Sequence, residues 1–460
     1  MNLEAGLQKL NETTANVSGD AEKQLVSIFD DGSFTLLDKF VTNKEQKCDV
    51  VTAYGTVAGV MTFAFAQNKG ADGAMGRAAS DKIGKVYALA QKVGAPIIGV
   101  YNSDGAHIDE GIDAMEAYAS LMSASANLSG VVPQIAVVVG DCIGSAAVLA
   151  SMADVVIMKN DAEFYVTAGS VLGDKEVGSA ALAAKNGTAA YIAETEEEAY
   201  AKAAEVITYL PQNNLSAPFF AETVASGKSV NSAEPYEVIN AVCDSDSFCE
   251  LYEDYAKKAV IGFARINGAA VAVVATNTES GKLDAESASK IARFVRLSDA
   301  FSIPVVTFLD SCGVLGTLDD ELAGGVKCAS KLTHAYAEAT TAKITVITGA
   351  AVGSAYIALA SRAAGIDSVF AWPTAYVSAL EPKTAAQFLM KDKLAEGKSR
   401  EELEQEYCDG EASVFEAAAK GYVEDIINPA DTAAKLSVAL DMLASKRVST
   451  LSKKHSNIQL

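Results

Sequence analysis

Residues 134–146 read QIAVVVGDCIGSA, and residues 343–355 read KITVITGAAVGSA. Each begins with a short run that is apolar at successive positions, which suits a strand buried on both faces of a parallel sheet. Each then passes through a turn bracketed by glycines into a small, alanine-rich segment, Ser145–Met152 or Ser354–Arg362, that predicts a buried helix. Strand, glycine turn and helix, written twice, predict an α/β fold that is itself built twice.

Working outward from this pair, the duplication continues. Residues 54–61 (YGTVAGVM) match 263–270 (FARINGAA), and 95–105 (APIIGVYNSDG) match 303–313 (IPVVTFLDSCG). Residues 164–168 (FYVTA) are matched to 371–375 (AWPTA). The shift between copies stays between 207 and 209 residues over more than 100 residues, which indicates duplicated domains rather than a solenoid. Within each copy a hairpin-like pair opens the order. A helix follows over Ala79–Val93 or Ala285–Phe301, and then a strand over Pro96–Val100 or Pro304–Leu309. A second helix, Gly111–Ser125 or Val326–Ala339, leads to the strands Gln134–Val139 and Lys343–Thr348. The polar link around Leu210–Glu234, with Pro211 and Pro218 and followed by Pro235, sets the expected boundary, giving domains 1–230 and 231–460.

The 460 residues suit two domains, and half of them are apolar. Lys and Arg number 37 against 59 Asp and Glu, a net charge of −22. That balance argues against nucleic acid or an anionic membrane as the main partner, since both reward basic residues. It leaves room for an anionic small substrate, because backbone amides can bind anions inside an acidic protein. The seven cysteines, Cys48, Cys142, Cys243, Cys249, Cys312, Cys328 and Cys408, show no metal-ligand spacing and read as free thiols; no metal is expected. The first twenty residues lack a signal-peptide core. The most apolar stretch, Ile135–Met158, is cut by Asp141, Ser145, Ser151 and Asp154, so a cytoplasmic protein is expected.

The two turns, Gly140–Ala146 and Gly349–Ala355, are where chemistry is expected. The first amides of a helix lack intrahelical acceptors, and two of them can hold a carbonyl oxygen as it becomes an anion. Small residues there equally allow close helix–sheet packing, and the local sequence is compatible with both readings. Asp109 and Glu110 fit a helix N-terminus better than a catalytic pair, and Cys142 and Cys312 fit packing thiols. Trp372 and Tyr376 read as core or interface aromatics, Glu194–Glu198 as a solvated helix start, and Lys453–Leu460 as a docking strand.

From about Gln24 to Leu460 the chain resembles the carboxyltransferase subunits of biotin-dependent acyl-CoA carboxylases and decarboxylases. The segments that carry the resemblance are collinear. Among them are FDDGSFTLLDKF (29–40), DGAMG (72–76), APIIGVYNSDGAHIDEG (95–111), GVVPQIAVVVGDCIGSAA (130–147), VIGFARINGAAVAVVA (260–275), KLTHAYAEATTAKITVITGAAVGSAY (331–356) and AAAKGYVEDIINP (417–429). The resemblance implies two tandem crotonase-like domains. It places the thioester enolate of an acyl-CoA on the amides of Gly144 and Ser145, and the oxyanion of biotin on those of Ser354 and Ala355. Gly140, Gly353, Tyr356, Ile357 and His107 are implied around the substrates, Ile357 at a position that lines the acyl pocket; His107 reads either as a shorter stand-in for the family's Arg toward CoA phosphate or as a residue that only hydrogen-bonds within its loop.

It further implies that no side-chain general base is needed. Because the chain has no biotin-attachment motif, biotin is expected on a separate biotin carboxyl carrier protein. A biotin carboxylase or membrane decarboxylase subunits are expected alongside, with the chain itself in a homo-oligomer, a hexamer by the family pattern. Propionyl-CoA/methylmalonyl-CoA or acetyl-CoA/malonyl-CoA are the implied substrate pairs. The chain departs from the family at both turns, where Gly-Ser replaces Gly-Gly, and at Asp104, His107, 311–328, 380–384 and Ile357. A CoA hydratase or isomerase of the same fold, and a non-catalytic structural subunit, are the alternatives.

Overall fold

The structure is a computed structural model that describes residues 2–15, 20–43, 46–47, 50–67, 69, 73–230, 232–277 and 281–459. The chain forms two compact units, Met1–Ala217 and Pro218–Leu460. Where the sequence reading divides it at 230/231, the packing divides it between Ala217 and Pro218. The reason is local: Arg265 Nη1 donates to the Phe219 carbonyl at 2.8 Å, and the Ala221 amide donates to the Gly268 carbonyl at 3.1 Å. The Ser245 amide donates to the Val224 carbonyl at 2.8 Å, so this strap belongs to the second unit.

Each unit opens with an antiparallel hairpin, Val50–Val57 with Val60–Gln67 and Ala259–Ile266 with Ala269–Thr276. The two-residue turns are Ala58-Gly59 (φ 48° and 79°) and Asn267-Gly268 (φ 50° and 80°). Positive φ at both positions matches the turn to the right-handed twist of the strands. An aspartate clasps each turn. The carboxylate of Asp30 accepts from the amides of Ala58 and Gly59 (3.0 and 2.9 Å), and that of Asp244 from Asn267 and Gly268 (3.0 and 2.8 Å).

Beyond the hairpin the sheets run parallel. In the first unit Val60–Gln67 is followed across the sheet by Ile97–Ser103, Gln134–Ile143, Val155–Lys159 and Tyr191–Ala193. In the second the order after Ala269–Thr276 is Val305–Ser311, Lys343–Val352, Ser368–Ala371 and Asp425–Ile426. A short extra strand, Glu163–Tyr165 or Tyr376–Ser378, pairs with the far end of the long central strand. The strands alternate with helices, among them Arg77–Val93, Ile112–Leu128, Ala285–Ala300 and Gly325–Glu338, as the apolar runs predict. Helices cover the sheets, so strand side chains are buried on both faces: Val137, Val138, Ile344 and Val346 are all fully buried. Phe65 packs edge-on against Tyr101 in the first unit, with ring centroids 5.5 Å apart, and Phe263 packs at a tilt against Phe294 in the second, at 5.2 Å. Each such buried aromatic contributes about 1.5–3 kcal/mol.

Strand register corrects one match. Met158 pairs with Val138, and Ala371 with Ile347, so residues 371–375 are the structural counterpart of 158–162 rather than of 164–168. Ala162 and Ala375 confirm the equivalence, each donating its amide to the carbonyl three residues back at 3.0 Å. The tail is also corrected: residues 446–459 contain neither helix nor strand. Side chains hold it instead, with Lys453 paired to Glu338 and Arg296 Nη1 bonded to Ser456 Oγ at 3.3 Å. Leu460 lies outside the described residues.

Candidate active site

In each unit the long central strand bulges toward its far end: a two-residue step of the neighbour, Tyr101 to Ser103 or Leu309 to Ser311, spans four of the central strand, Val138 to Cys142 or Ile347 to Ala351. A serine hydroxyl secures the loop that follows the neighbouring strand. Ser103 Oγ accepts the Gly105 amide at 3.2 Å, and Ser311 Oγ accepts the Gly313 amide at 3.3 Å. The first glycine of each turn is required by space. A Cβ on Gly140 would stand 2.5 Å from Asn102 Oδ1, and one on Gly349 would stand 2.4 Å from Asp310 Oδ1. The second glycine is required by backbone. Gly144 has φ 59° and Gly353 φ 53°, a region L side chains rarely adopt, while the space around both would admit a Cβ.

In the first unit Ser145–Ser151 forms the helix, and its first internal bond is Val148 N–H to Gly144 C=O at 3.2 Å. The amides of Ser145, Ala146 and Ala147 therefore have no intrahelical acceptor and point out of the helix N-terminus. The Gly144 amide does not join them: it donates to the Tyr165 carbonyl at 2.9 Å, extending the pairing of Glu163–Tyr165 along the central strand. Of the expected pair Gly144 and Ser145, only the Ser145 amide lies at the open end of the turn. Ser145 itself is half-buried.

In the second unit Val352 precedes the helix Gly353–Leu359, which places Gly353, Ser354 and Ala355 at its first three amides. Gly353 and Ser354 open into a cavity of about 830 Å³ lined also by Tyr356, Ile357, Arg362 and Tyr422, among others. Ser354 and Ile357 are exposed in it, Ile357 by 53%. Burial, with Tyr422 beside it, pushes the Tyr356 hydroxyl above its ordinary range, so it is neutral at physiological pH. Gly353, Ser354, Tyr356 and Ile357 line this one cavity, while Ala355 is buried behind them.

His107 lies on the loop that follows Ser103 and Gly105. It precedes the short helix Ile108–Glu110, is half-buried, and donates its amide to the Met75 carbonyl at 3.0 Å. Glu110 is structural: its carboxylate accepts the Arg77 amide at 2.6 Å and caps the helix that starts there. Cys142 is fully buried, and burial raises its thiol far above the usual range, as expected of a packing residue. Cys312 is half-buried, 3.6 Å from the Tyr376 hydroxyl. Trp372 is core, with Nε1 donating to Thr432 Oγ1 at 3.1 Å. Thr195 and Glu198 start the helix Glu196–Tyr209, which accounts for the acidic run. Cys48, and Asp72 of the DGAMG segment, lie outside the described residues.

Sequence reasoning missed the partners behind the turns. Beside the first turn, Lys69 pairs with Asp141 and, at 3.4 Å, with Asp104. Beneath the second turn, Asp310 Oδ1 accepts the Ala350 amide at 2.7 Å. At the corresponding place in the first unit, Asn102 Oδ1 is buried without a hydrogen-bond partner among the described residues. Asn102 and Asp310 occupy the same position in the repeated segments 95–105 and 303–313, and that was the available signal. Among the described residues no group of three or more His, Cys, Asp or Glu could hold a metal ion, and no helix is long and apolar enough to cross a membrane.

The carboxyl transferase domain model matches residues 21–458. The chain is 35% identical over 491 residues to the methylmalonyl-CoA decarboxylase subunit alpha of Veillonella parvula, covering 99% of this chain and 96% of that one. It is 35% identical over 480 residues to the carboxyltransferase subunit of propionyl-CoA carboxylase from Haloferax mediterranei, covering 96% and 93%. Among solved structures, transcarboxylase 12S, a hexamer seen with hydrolysed methylmalonyl-coenzyme A bound, superimposes with a TM-score of 0.94 at 31% identity, covering 100% of this chain and 99% of that one.

Proposed function

The chain belongs to the carboxyl transferase family, and from that premise we propose that its two Gly-Ser turns each hold one oxyanion during a single carboxyl transfer. The enzyme is a biotin-dependent acyl-CoA carboxyltransferase with two crotonase-like domains. The carrying observation is that one strand–turn–helix device occurs in both units, with helix-start amides open at each. One oxyanion develops on the thioester oxygen of the acyl-CoA, and the other on the partner that gives or takes the carboxyl group.

The first unit is the acyl-CoA side. The Ser145 amide, backed by Ala146 and Ala147, meets the thioester oxygen as it gains charge, and His107 faces the CoA phosphate. The second unit is the biotin side, where the amides of Ser354 and Ala355 meet the ureido oxygen. The cavity there fits such a group: it has room for a neutral bicycle, an apolar wall at Ile357, aromatic walls at Tyr356 and Tyr422, and one edge of amide donors. Biotin, when bound, supplies the nitrogen that carries the carboxyl group. The chain's own contribution is to hold both oxygens with donors fixed before reaction, each donor being worth about 2.7–4 kcal/mol in such sites. Gly353, which lines the cavity, lets the biotin group approach the backbone.

Propionyl-CoA/methylmalonyl-CoA is the leading substrate pair, with acetyl-CoA/malonyl-CoA second, and both directions of transfer are open to the same site. The names of the relatives support that order. The complete site forms between the first unit of one copy and the second unit of another within a homo-hexamer, in the cytoplasm. Biotin comes on a biotin carboxyl carrier protein, charged or discharged by a biotin carboxylase or by membrane decarboxylase subunits. The test is release of CO2 from methylmalonyl-CoA or malonyl-CoA by the purified full chain, with free biotin as acceptor. Biotin-dependent turnover is expected. Acyl-CoA binding with no turnover, alone or with a biotinylated carrier, would make the chain a scaffold instead.

A further inference from the structure

Between Gly140–Ala146 and Gly349–Ala355, Asp141, Cys142 and Ile143 stand against Ala350, Ala351 and Val352, while Gly-Ser-Ala closes both turns. Two of those three shared residues have a structural task. The glycine is required by its φ, and Ala146 and Ala355 are fully buried where the helix packs. The serine between them has none of that kind: neither Ser145 nor Ser354 uses its hydroxyl in a hydrogen bond among the described residues.

Position explains why. Serines further along a helix return the hydroxyl to the chain. Ser27 Oγ donates to the Lys23 carbonyl at 3.1 Å, Ser151 Oγ to that of Val148 at 2.9 Å, and Ser298 Oγ to that of Phe294 at 2.8 Å. Such a bond needs a carbonyl three or four residues back. Serines just outside a helix cap it instead: Ser179, Ser399 and Ser413 accept the amides of Leu182, Glu402 and Phe415. Ser145 is the first residue of its helix and Ser354 the second of its own, so neither place offers either partner.

The surroundings of the second turn show where the hydroxyl is available. Ser354 is exposed in the cavity of about 830 Å³, whereas Ala355 beside it is fully buried. Ser378 also lines the cavity, but its hydroxyl is committed, donating to the Leu380 carbonyl at 2.5 Å and lying 2.9 Å from the Tyr407 hydroxyl. An oxygen that meets the Ser354 amide lies next to the hydroxyl of the same residue. A hydroxyl can rotate to follow that oxygen, which a backbone amide cannot.

We infer that the Ser354 hydroxyl is a further donor to the biotin-side oxygen, added to the backbone amide at the second turn. The inference rests on the biotin-side reading of that turn. A hydrogen bond to an acceptor that gains charge strengthens as the charge develops, so the hydroxyl contributes more to the rate than to binding. Ser145 holds the same place at the first turn but is half-buried, and the larger effect is expected at Ser354.

The test uses the purified full chain and two variants, Ser354→Ala, which keeps the amide and the Cβ, and Ser354→Gly, which keeps the amide alone. Melting curves verify that both fold. With methylmalonyl-CoA as donor and free biotin as acceptor, both variants should lose kcat alike, by about 10–100-fold, with acyl-CoA binding within twofold of wild type. A second readout needs no turnover: the infrared carbonyl stretch of biotin amide, isotope-labelled at the ureido carbon. It should fall when the amide binds the wild type and rise part of the way back in Ser354→Ala. A kcat within twofold of wild type in Ser354→Ala, or a stretch that does not move there, overturns the hydroxyl's role. So does a Gly variant that keeps its rate while the Ala variant loses it, since the size of the Cβ would then decide. Those outcomes leave the biotin-side reading standing as long as the wild type lowers the stretch. No binding of biotin amide to the wild type, or binding that leaves the stretch at its solution value, overturns that reading and this inference together.

Discussion

The two turns share a skeleton and differ in what stands behind it. In both, the central strand bulges, a serine hydroxyl secures a loop, a first glycine clears a side chain beneath, and a second glycine with positive φ starts the helix. Behind the first turn lies a neutral amide, Asn102, and beside it the pairing of Lys69 with Asp141 and Asp104. Behind the second lies the carboxylate of Asp310, engaged by Ala350. On the proposed reading, backbone geometry is kept where an oxyanion is to be held, and side chains diverge where two different molecules are to be told apart. A backbone donor is indifferent to the residue that carries it, which is why Gly-Ser can stand for Gly-Gly at both turns.

The sharpest way to break this comparison is to delete one amide at a time. Ser145 is the first residue of its helix, a position where proline costs the fold little. Ser145→Pro and Ser354→Pro should each lower kcat about 10²–10³-fold, with far-UV circular dichroism unchanged. If one of them leaves kcat intact, the two turns are not equivalent in the reaction. A smaller effect is expected from Gly140→Ala and Gly349→Ala. Each places a Cβ within about 2.5 Å of a side-chain oxygen, an overpacking that costs about 1–3 kcal/mol. Gly349→Ala should cost more, because Asp310 is anchored to Ala350 while the buried Asn102 carboxamide can turn. Urea titration of both variants reads the difference, and a reversed order would remove the argument from anchoring.

The smallest effect concerns the hairpin turns. Burial raises the Asp30 carboxyl, but hydrogen bonds from Thr56, Gly59 and Ala58 outweigh it and hold the group below its ordinary 3.8. Because the folded value is the lower one, the unfolded chain binds the proton first as pH falls. The stabilisation is complete above pH 4 and is lost as pH drops through the folded value. Asp30→Asn should therefore flatten the acid limb of thermal stability below pH 4 and leave it parallel to wild type above. An unchanged acid limb would mean that the clasp is not felt.

Much of this was legible because strands buried on both faces leave continuous apolar runs, and a duplication fixes their order twice over. The helix starts were legible from Gly-Ser-Ala. What sequence could not give was pairing at a distance. Nothing near Gly144 announces that its amide is taken by Tyr165, because that bond depends on a strand that joins only after Val155–Lys159 has passed through the sheet. The same ignorance of register misplaced 164–168 against 371–375. The strap 218–226 looks like a linker by composition, and only its bonds to Arg265, Gly268 and Ser245 assign it to the second unit. The cavity at Ser354 needs Tyr422, contributed from far along the chain.

The aspartate-clasped hairpins bear on how the chain acquires its shape. Most other pairings in each sheet are parallel, so they join strands far apart along the chain and form slowly. A tight hairpin closes in about 1–10 μs. Val50–Gln67 and Ala259–Thr276 are thus two local nuclei, one for each half, onto which later strands can add in order. During synthesis the first half can complete its sheet before the second nucleus has been made.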